Sequence, residues 1–90
     1  MRRFARWAES VIVEWRLEGT CVRRVSRTAD VGEMGLFVET AATLERGTRL
    51  VLELPAVAGV RELTGRVVRR DGRGVAVALD PGSRVAPRPA

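Results

Sequence analysis

Apolar and polar residues alternate along much of the chain, in short stretches. In Ser10–Glu18, every second residue from Val11 to Leu17 is apolar, and most residues on the opposite face are charged. This period of two is typical of a β-strand with one face buried and the other in solvent. Trp15 lies on the apolar face, so we expect it in the hydrophobic core.

Five further stretches predict strands. They cover residues 20–29, 36–40, 48–54, 61–70 and 75–79. Alternation is poor over residues 20–29, which indicates a β-bulge or an edge strand. Asp71–Gly74, between the last two stretches, is typical of a hairpin turn. Because no long amphipathic helix separates the stretches, we predict an all-β fold, a six-stranded antiparallel barrel that closes to leave no exposed sheet edge.

The segment Asp30–Gly35 connects the second and third predicted strands. It begins with a polar residue that can stabilise a turn and contains two glycines, Gly32 and Gly35. Glycine adopts positive φ without steric cost, so we predict positive φ at both positions and a tight, backbone-exposed loop.

The two ends of the chain lack this alternation. Residues 1–8 contain three arginines and two aromatic residues, and they are too few to hold a helix unaided. We predict a flexible, arginine-rich arm there. Residues 81–90 are rich in proline, glycine and arginine and are predicted to be a short tail that is disordered or laid loosely on the surface. We therefore expect a single folded domain over residues 1–80, arm included.

Composition favours an anionic partner. Of the 90 residues, 46% are hydrophobic, which is enough for one compact core. All 16 basic residues are arginine, against 11 acidic residues, giving a net charge of +5. The guanidinium group is a planar fork that suits phosphate oxygens and the edge of guanine, although a GC-rich genome would also explain the missing lysine.

The sequence offers little for catalysis or metal binding. It has no histidine, its acidic residues are scattered, and no nucleophile has a base at a recognisable spacing. We therefore predict neither an enzyme nor a metal site. The single cysteine, Cys21, is expected to be a small buried apolar residue. No apolar run reaches the roughly 18 residues of a membrane span and no signal peptide is evident, so we expect a cytoplasmic protein without membrane contacts.

Two clusters are candidates for binding. One is the set of arginines in the arm, Arg2, Arg3 and Arg6, and the other is the segment that begins at Asp30. Arginine pairs with guanine O6 and N7 and with phosphate, and a carboxylate accepts hydrogen bonds from guanine N1–H and N2–H₂. Together they suit a guanine nucleotide. Taken singly, the arm is also explained as a solvated basic terminus, and Asp30 as an ordinary turn residue.

Both clusters resemble the motifs of the PilZ domain family, bacterial receptors for cyclic di-GMP. The family has an RxxxR motif before its first strand, where this chain has Arg2-Arg3-Phe4-Ala5-Arg6. It has a [D/N]xSxxG motif after its second strand, where this chain has Asp30-Val31-Gly32-Glu33-Met34-Gly35. The resemblance covers about residues 2–79, and the placement of the two motifs relative to the strands is what makes it specific.

The resemblance implies a PilZ-like barrel that binds cyclic di-GMP and passes the signal to a protein partner. Arg2 and Arg6 would clamp phosphates and guanine edges, Asp30 would hold a guanine, and Gly35 would let the backbone approach closely. In the family the arm wraps over the bound nucleotide. Additional candidates in this chain are Arg3 and also Trp7, which either stacks on a guanine or packs against the mouth of the barrel.

One contact position departs from the family. Gly32 stands where the family has serine, and losing that hydrogen bond costs about 0.5–1.5 kcal/mol. Three interpretations stay open: a cyclic di-GMP receptor, a PilZ-like adaptor that acts by protein contacts without nucleotide, and a small basic barrel that binds nucleic acid. The net charge supports the last, whereas a content of two phenylalanines and two tryptophans is low for a base-stacking surface.

Overall fold

A computed structural model of the chain describes residues 6–8, 10–55 and 62–83. The alternating stretches form antiparallel strands, and a short 3₁₀ turn covers Pro81–Ser83. The strands are β1 (Arg6–Ala8), β2 (Ile12–Leu17), β3 (Arg24–Gly32), β4 (Gly35–Glu39), β5 (Arg49–Glu53), β6 (Leu63–Arg70) and β7 (Gly74–Leu79).

Strands β2 to β7 close into a barrel. Their order is β3-β2-β5-β6-β7-β4, and β4 pairs back with β3 to complete the ring. Every pairing is antiparallel. The predicted all-β, six-stranded antiparallel barrel is therefore confirmed. The hairpin predicted at Asp71–Gly74 is confirmed as well, since the Asp71 N–H donates to the Gly74 carbonyl at 2.9 Å.

Alternate residues of the barrel strands meet in one hydrophobic core. Trp15 is only 2% exposed, as predicted, and its indole Nε1–H donates to Ser26 Oγ at 3.0 Å. Thr28 is 1% exposed, and its Oγ1 accepts a hydrogen bond from the Val11 N–H at 3.0 Å. The buried polar groups that accompany the core are thus paired, as burial away from water requires.

The second predicted strand begins later than its sequence suggested. β3 starts at Arg24 rather than near Thr20, and β2 is followed by Gly19 with φ of 88°. Cys21 lies in the connection between the two strands and is exposed, so the prediction that it is buried was wrong. The connection between β2 and β3 runs over the outside of the barrel, and every residue from Leu17 to Val25 is exposed.

Part of the predicted arm forms a strand. Arg6–Ala8 pair antiparallel with the end of β3, Arg6 opposite Gly32 and Ala8 opposite Val31. The prediction that residues 1–8 have no regular structure was wrong for these three. Their own sequence does not alternate, so the strand depends on the backbone hydrogen-bonding edge that β3 offers. Residues 1–5 lie outside the described residues.

The start of the predicted tail is also ordered. Pro81–Ser83 form a 3₁₀ turn, so these three residues agree with a tail laid on the surface rather than a disordered one. Ser83 Oγ accepts a hydrogen bond from the Thr64 N–H at 3.0 Å, which holds the turn against β6. Residues 84–90 lie outside the described part of the chain.

A charged contact fixes the end of β7 to the neighbouring strands. Asp80 accepts two hydrogen bonds from the Arg49 guanidinium, at 2.6 and 3.0 Å, and one from Thr64 Oγ1 at 2.7 Å. The bonds from Arg49, followed by the bond from Thr64, lower the pKa of the Asp80 carboxyl from 3.8 to about 2. The folded protein therefore favours the ionised form of Asp80.

We expect Asp80→Asn to lower the melting temperature at neutral pH, because an amide cannot make the charged pair with Arg49. A carboxyl whose pKa is lower in the folded state than in the unfolded state stabilises the fold at pH values above its unfolded-state pKa. For Asp80 this stabilisation is lost as the pH falls through about 4 towards 2. Thermal unfolding followed over this range should show the difference between variant and wild type closing at low pH. Glu45→Gln, at an exposed residue, is the control. A difference that is as large at the acid end as at neutral pH contradicts the assignment.

Candidate functional site

The segment Asp30–Gly35, predicted to be a loop, contains a tight turn between the paired strands β3 and β4. β3 continues through Asp30 to Gly32, and β4 begins at Gly35, so Glu33 and Met34 alone connect them. The prediction that Asp30 and Gly32 belong to a loop was wrong. The end of β3 pairs with β4 on one side and with β1 on the other, and this double pairing keeps its backbone extended.

A β-bulge next to Asp30 sets the direction of its side chain. Thr28 lies opposite Val38 and Asp30 lies opposite Phe37, so Ala29 is an extra residue in β3. Thr28 and Val31 are both buried, three positions apart, whereas simple alternation would bury residues two or four apart. The bulge therefore leaves the half-exposed Asp30 on the outer face, and it confirms the bulge that the poor alternation predicted.

The neighbours of Asp30 on the outer face come from β4 and β7. Phe37 lies directly opposite Asp30, and Ala76 of β7 lies opposite Phe37 on the other side. Phe37 alternates with the core residues Leu36 and Val38, so its ring is on the outer surface, although only 8% of the residue is exposed. The Arg73 guanidinium carbon lies 5.9 Å from the centroid of that ring.

The structure brings the second arginine of the RxxxR motif to this part of the barrel. Arg6 is paired with Gly32, so their backbones are neighbours in the sheet, within about 6 Å. Arg2 and Arg3 lie outside the described residues, as do the side chains of Arg6 and Trp7. Among the described atoms, the backbone of Arg6 and the three positions Asp30, Gly32 and Gly35 therefore lie together at one end of the barrel.

Gly35 has a packing role that the sequence did not reveal. Positive φ occurs at Gly19 and Gly47 among the described glycines, and the prediction of positive φ at Gly35 was wrong. A Cβ atom on Gly35 would instead lie 2.6 Å from the backbone oxygen of Val77. Beside it, the Leu79 N–H donates to the Met34 carbonyl at 3.0 Å, so β4 and β7 approach closely here.

Other arginines that might extend a basic surface are engaged elsewhere on the barrel. Arg23 forms ion pairs with Glu14 at 3.0 Å and Glu53 at 3.4 Å. Arg24 lies over the Trp15 ring, 5.5 Å from its centroid. These side chains cover the outside of β2 and β5 and the edge of the core, and they are structural contacts.

Sequence reasoning missed Phe37, which lies opposite Asp30, and Arg73, whose guanidinium lies over the Phe37 ring. Phe37 was assigned only to a strand, and Arg73 only to a hairpin. Their proximity depends on the pairing of β4 with β3 and β7, which joins segments far apart in the chain. The sequence held no clear signal, since Leu36, Phe37 and Val38 are consecutive apolar residues and their order alone does not say which of them faces outward.

Nothing in the described part of the chain indicates a metal centre. No group of three or more histidine, cysteine, aspartate or glutamate residues there is arranged to hold an ion. No helix among those same residues has the length and apolar character needed to cross a membrane.

The fold and the site define a small antiparallel barrel with an arginine-bearing strand beside a glycine turn. The sequence model of the PilZ domain family matches residues 1–87 of the 90-residue chain. The chain therefore belongs to the PilZ domain family, a family of cyclic di-GMP receptor and adaptor domains that bind rather than catalyse. A search of curated proteins gives no significant match.

The close contact between β4 and β7 predicts an effect of Gly35 on stability that can be measured without ligand. Gly35→Ala should reduce the free energy of unfolding by about 1–3 kcal/mol, because the added methyl group meets backbone that cannot move aside without distorting the ladder. Urea unfolding of the free protein measures the effect. Gly72→Ala is the matched control, since a Cβ there meets nothing within 4 Å. Equal stability of both variants and wild type would contradict the packing role.

Proposed function

We propose that this PilZ domain is a cyclic di-GMP receptor that signals to a protein effector. The observation that carries the proposal is the pairing of Arg6 with Gly32. The two family motifs can act on one ligand only if they lie side by side, and this pairing brings the end of the first motif against the second. Arg2 is four residues before Arg6, within about 14 Å along an extended chain, and so can reach the same ligand.

Each proposed contact follows from the chemistry of the nucleotide. The forks of Arg2 and Arg6 bind phosphate oxygens and the O6 and N7 edge of guanine. Asp30 accepts hydrogen bonds from guanine N1–H and N2–H₂, and its outward direction on β3 supports this role. Gly32 and Gly35 flank the turn and keep bulk away from the bound nucleotide. Arg3 and Trp7 supply additional contacts from the arm.

The proposed signal is the ordering of the arm over the β3–β4 turn, starting from Arg6–Ala8, which are already paired with β3. The nucleotide joins the arginines of residues 1–8 to the β3–β4 turn, and this changes the surface beside the turn. A protein effector recognises the changed surface. Coupled ordering of this kind lowers affinity by the entropy of the arm, but it links binding directly to a new surface. We place the protein in the cytoplasm, where the nucleotide acts, and assign it no metal.

A second function is favoured by one residue. Gly32 replaces the serine of the family motif, which removes a hydroxyl donor and gives the end of β3 more freedom in the unfolded chain. If these losses exceed what the arginines supply, the domain is an adaptor that acts through protein contacts without nucleotide. The structure of the barrel is the same for either function, so ligand titration distinguishes them.

We expect Arg6→Ala and Asp30→Ala each to weaken cyclic di-GMP binding by about tenfold or more, because each removes a charged hydrogen-bonding group. Isothermal titration calorimetry measures the change. Arg70→Ala is the control for loss of one positive charge, since Arg70 is exposed and lies away from the site. Arg70 pairs with Val75 at one end of β7, whereas Gly35 pairs with Ala78 near the other end. Unchanged affinity in both test variants would refute the site.

Gly32→Ser restores the family's hydroxyl and should raise the affinity by a few-fold up to about tenfold, the equivalent of one net hydrogen bond. The same calorimetry, with mixed-sequence oligonucleotides as a second ligand, separates the functions. If the wild type does not bind cyclic di-GMP and the Gly32→Ser variant does, the protein is the adaptor that acts without nucleotide. Tight and steeply salt-dependent binding of oligonucleotides would instead identify a nucleic-acid-binding barrel.

A further inference from the structure

We propose that Arg73 is a further nucleotide-binding arginine, supplied by the barrel itself rather than by the arm. The inference rests on the proposed cyclic di-GMP site and extends it to a residue outside both family motifs. It starts from the position of the Arg73 guanidinium on the outer face of β4, over the ring of Phe37.

Phe37 connects Arg73 to the proposed site. Its guanidinium carbon is 5.9 Å from the Phe37 centroid, and Phe37 lies directly opposite Asp30. Directly opposed residues in an antiparallel pair have Cα atoms about 4.5–5.5 Å apart. A ligand whose guanine is held by Asp30 and extends across the sheet therefore meets the Arg73 side chain next.

The backbone of Arg73 is held in place before any ligand binds. The Arg73 N–H donates to Asp71 Oδ1 at 2.7 Å, and the Arg73 carbonyl accepts from the Thr40 N–H at 3.1 Å. The Asp71 N–H in turn donates to the Gly74 carbonyl at 2.9 Å, which closes the hairpin. An arginine fixed in this way loses less conformational freedom on binding than one in the arm, so its contact is favoured by preorganisation.

Arg73 is exposed on this surface, whereas the Phe37 ring below its guanidinium is nearly covered, with 8% of the residue exposed. On the β7 side its neighbour is Ala76, whose side chain is a single methyl group. A guanidinium that lies over an aromatic face keeps its N–H groups directed sideways, where they can donate to phosphate oxygens or to guanine O6 and N7. The site would thus be bounded by the arm at the Gly32 end of the β3–β4 pair and by Arg73 at the Thr40 end.

The chemistry of the nucleotide gives this arginine a role. Cyclic di-GMP has two phosphates and two guanines, so it offers anionic and acceptor groups to arginines beyond those of the arm. Arg70, in the same hairpin, is exposed but has no corresponding ring contact in the described structure. It is therefore the matched control, equal in charge and local in position.

The experiment compares Arg73→Ala, Arg73→Lys and Arg70→Ala by calorimetry with cyclic di-GMP at one salt concentration. Arg73→Ala should weaken binding by about fivefold or more, the loss of one charged hydrogen-bonding group that is partly exposed to solvent. The affinity of Arg73→Lys should lie between those of the wild type and Arg73→Ala, because lysine keeps the positive charge but lacks the planar guanidinium fork. Arg70→Ala should stay within about twofold, the effect of long-range charge alone. Melting temperatures verify that each variant is folded.

A second readout does not depend on the variants. In wild-type protein, the Arg73 Nε–H resonance should shift on saturation with cyclic di-GMP, because the guanidinium acquires a new acceptor. If this resonance does not move, or if Arg73→Ala binds like the wild type while Arg6→Ala and Asp30→Ala bind weakly, the inference is overturned and the receptor function stands. If the wild type binds no cyclic di-GMP, the receptor function and the role of Arg73 are both refuted. This outcome differs from the first, in which only the role of Arg73 is refuted.

Discussion

The extra residue in β3 is the constraint on which the site depends. The barrel needs both Thr28 and Val31 inside, and a strand can bury residues three positions apart only if one additional residue interrupts its period of two. Ala29 is that residue. Its insertion turns Asp30 outward next to Phe37 and aligns the last part of β3 with both β4 and β1. The bulge at Ala29 is therefore the common cause of the burial of Thr28 and Val31 and of the outward direction of the Asp30 carboxylate.

The end of β3 has a second property that matters for function. It offers a backbone edge to the arm, and Arg6–Ala8, whose sequence does not alternate, pair with it as β1. On the opposite side of the turn, Gly35 allows β4 to approach the backbone of β7 closely.

Much of the barrel could be predicted from the sequence, because its strands carry their own alternation. Trp15 and the hairpin at Asp71–Gly74 are local signals, and the weak alternation before Asp30 already indicated a bulge. β1, the exposure of Cys21 and the packing role of Gly35 could not be predicted, since each depends on which strand lies beside which. The position of Phe37 opposite Asp30 has the same origin in long-range pairing.

The central claim is that one ligand is held between the arm and the β3–β4 turn. The most direct measurement is a backbone NMR titration of the full chain with cyclic di-GMP. The account predicts saturable shifts concentrated in residues 1–8 and Asp30–Gly35, with the outer faces of β2 and β5 unaffected. Absence of shifts, or shifts centred on β2 and β5, would contradict it.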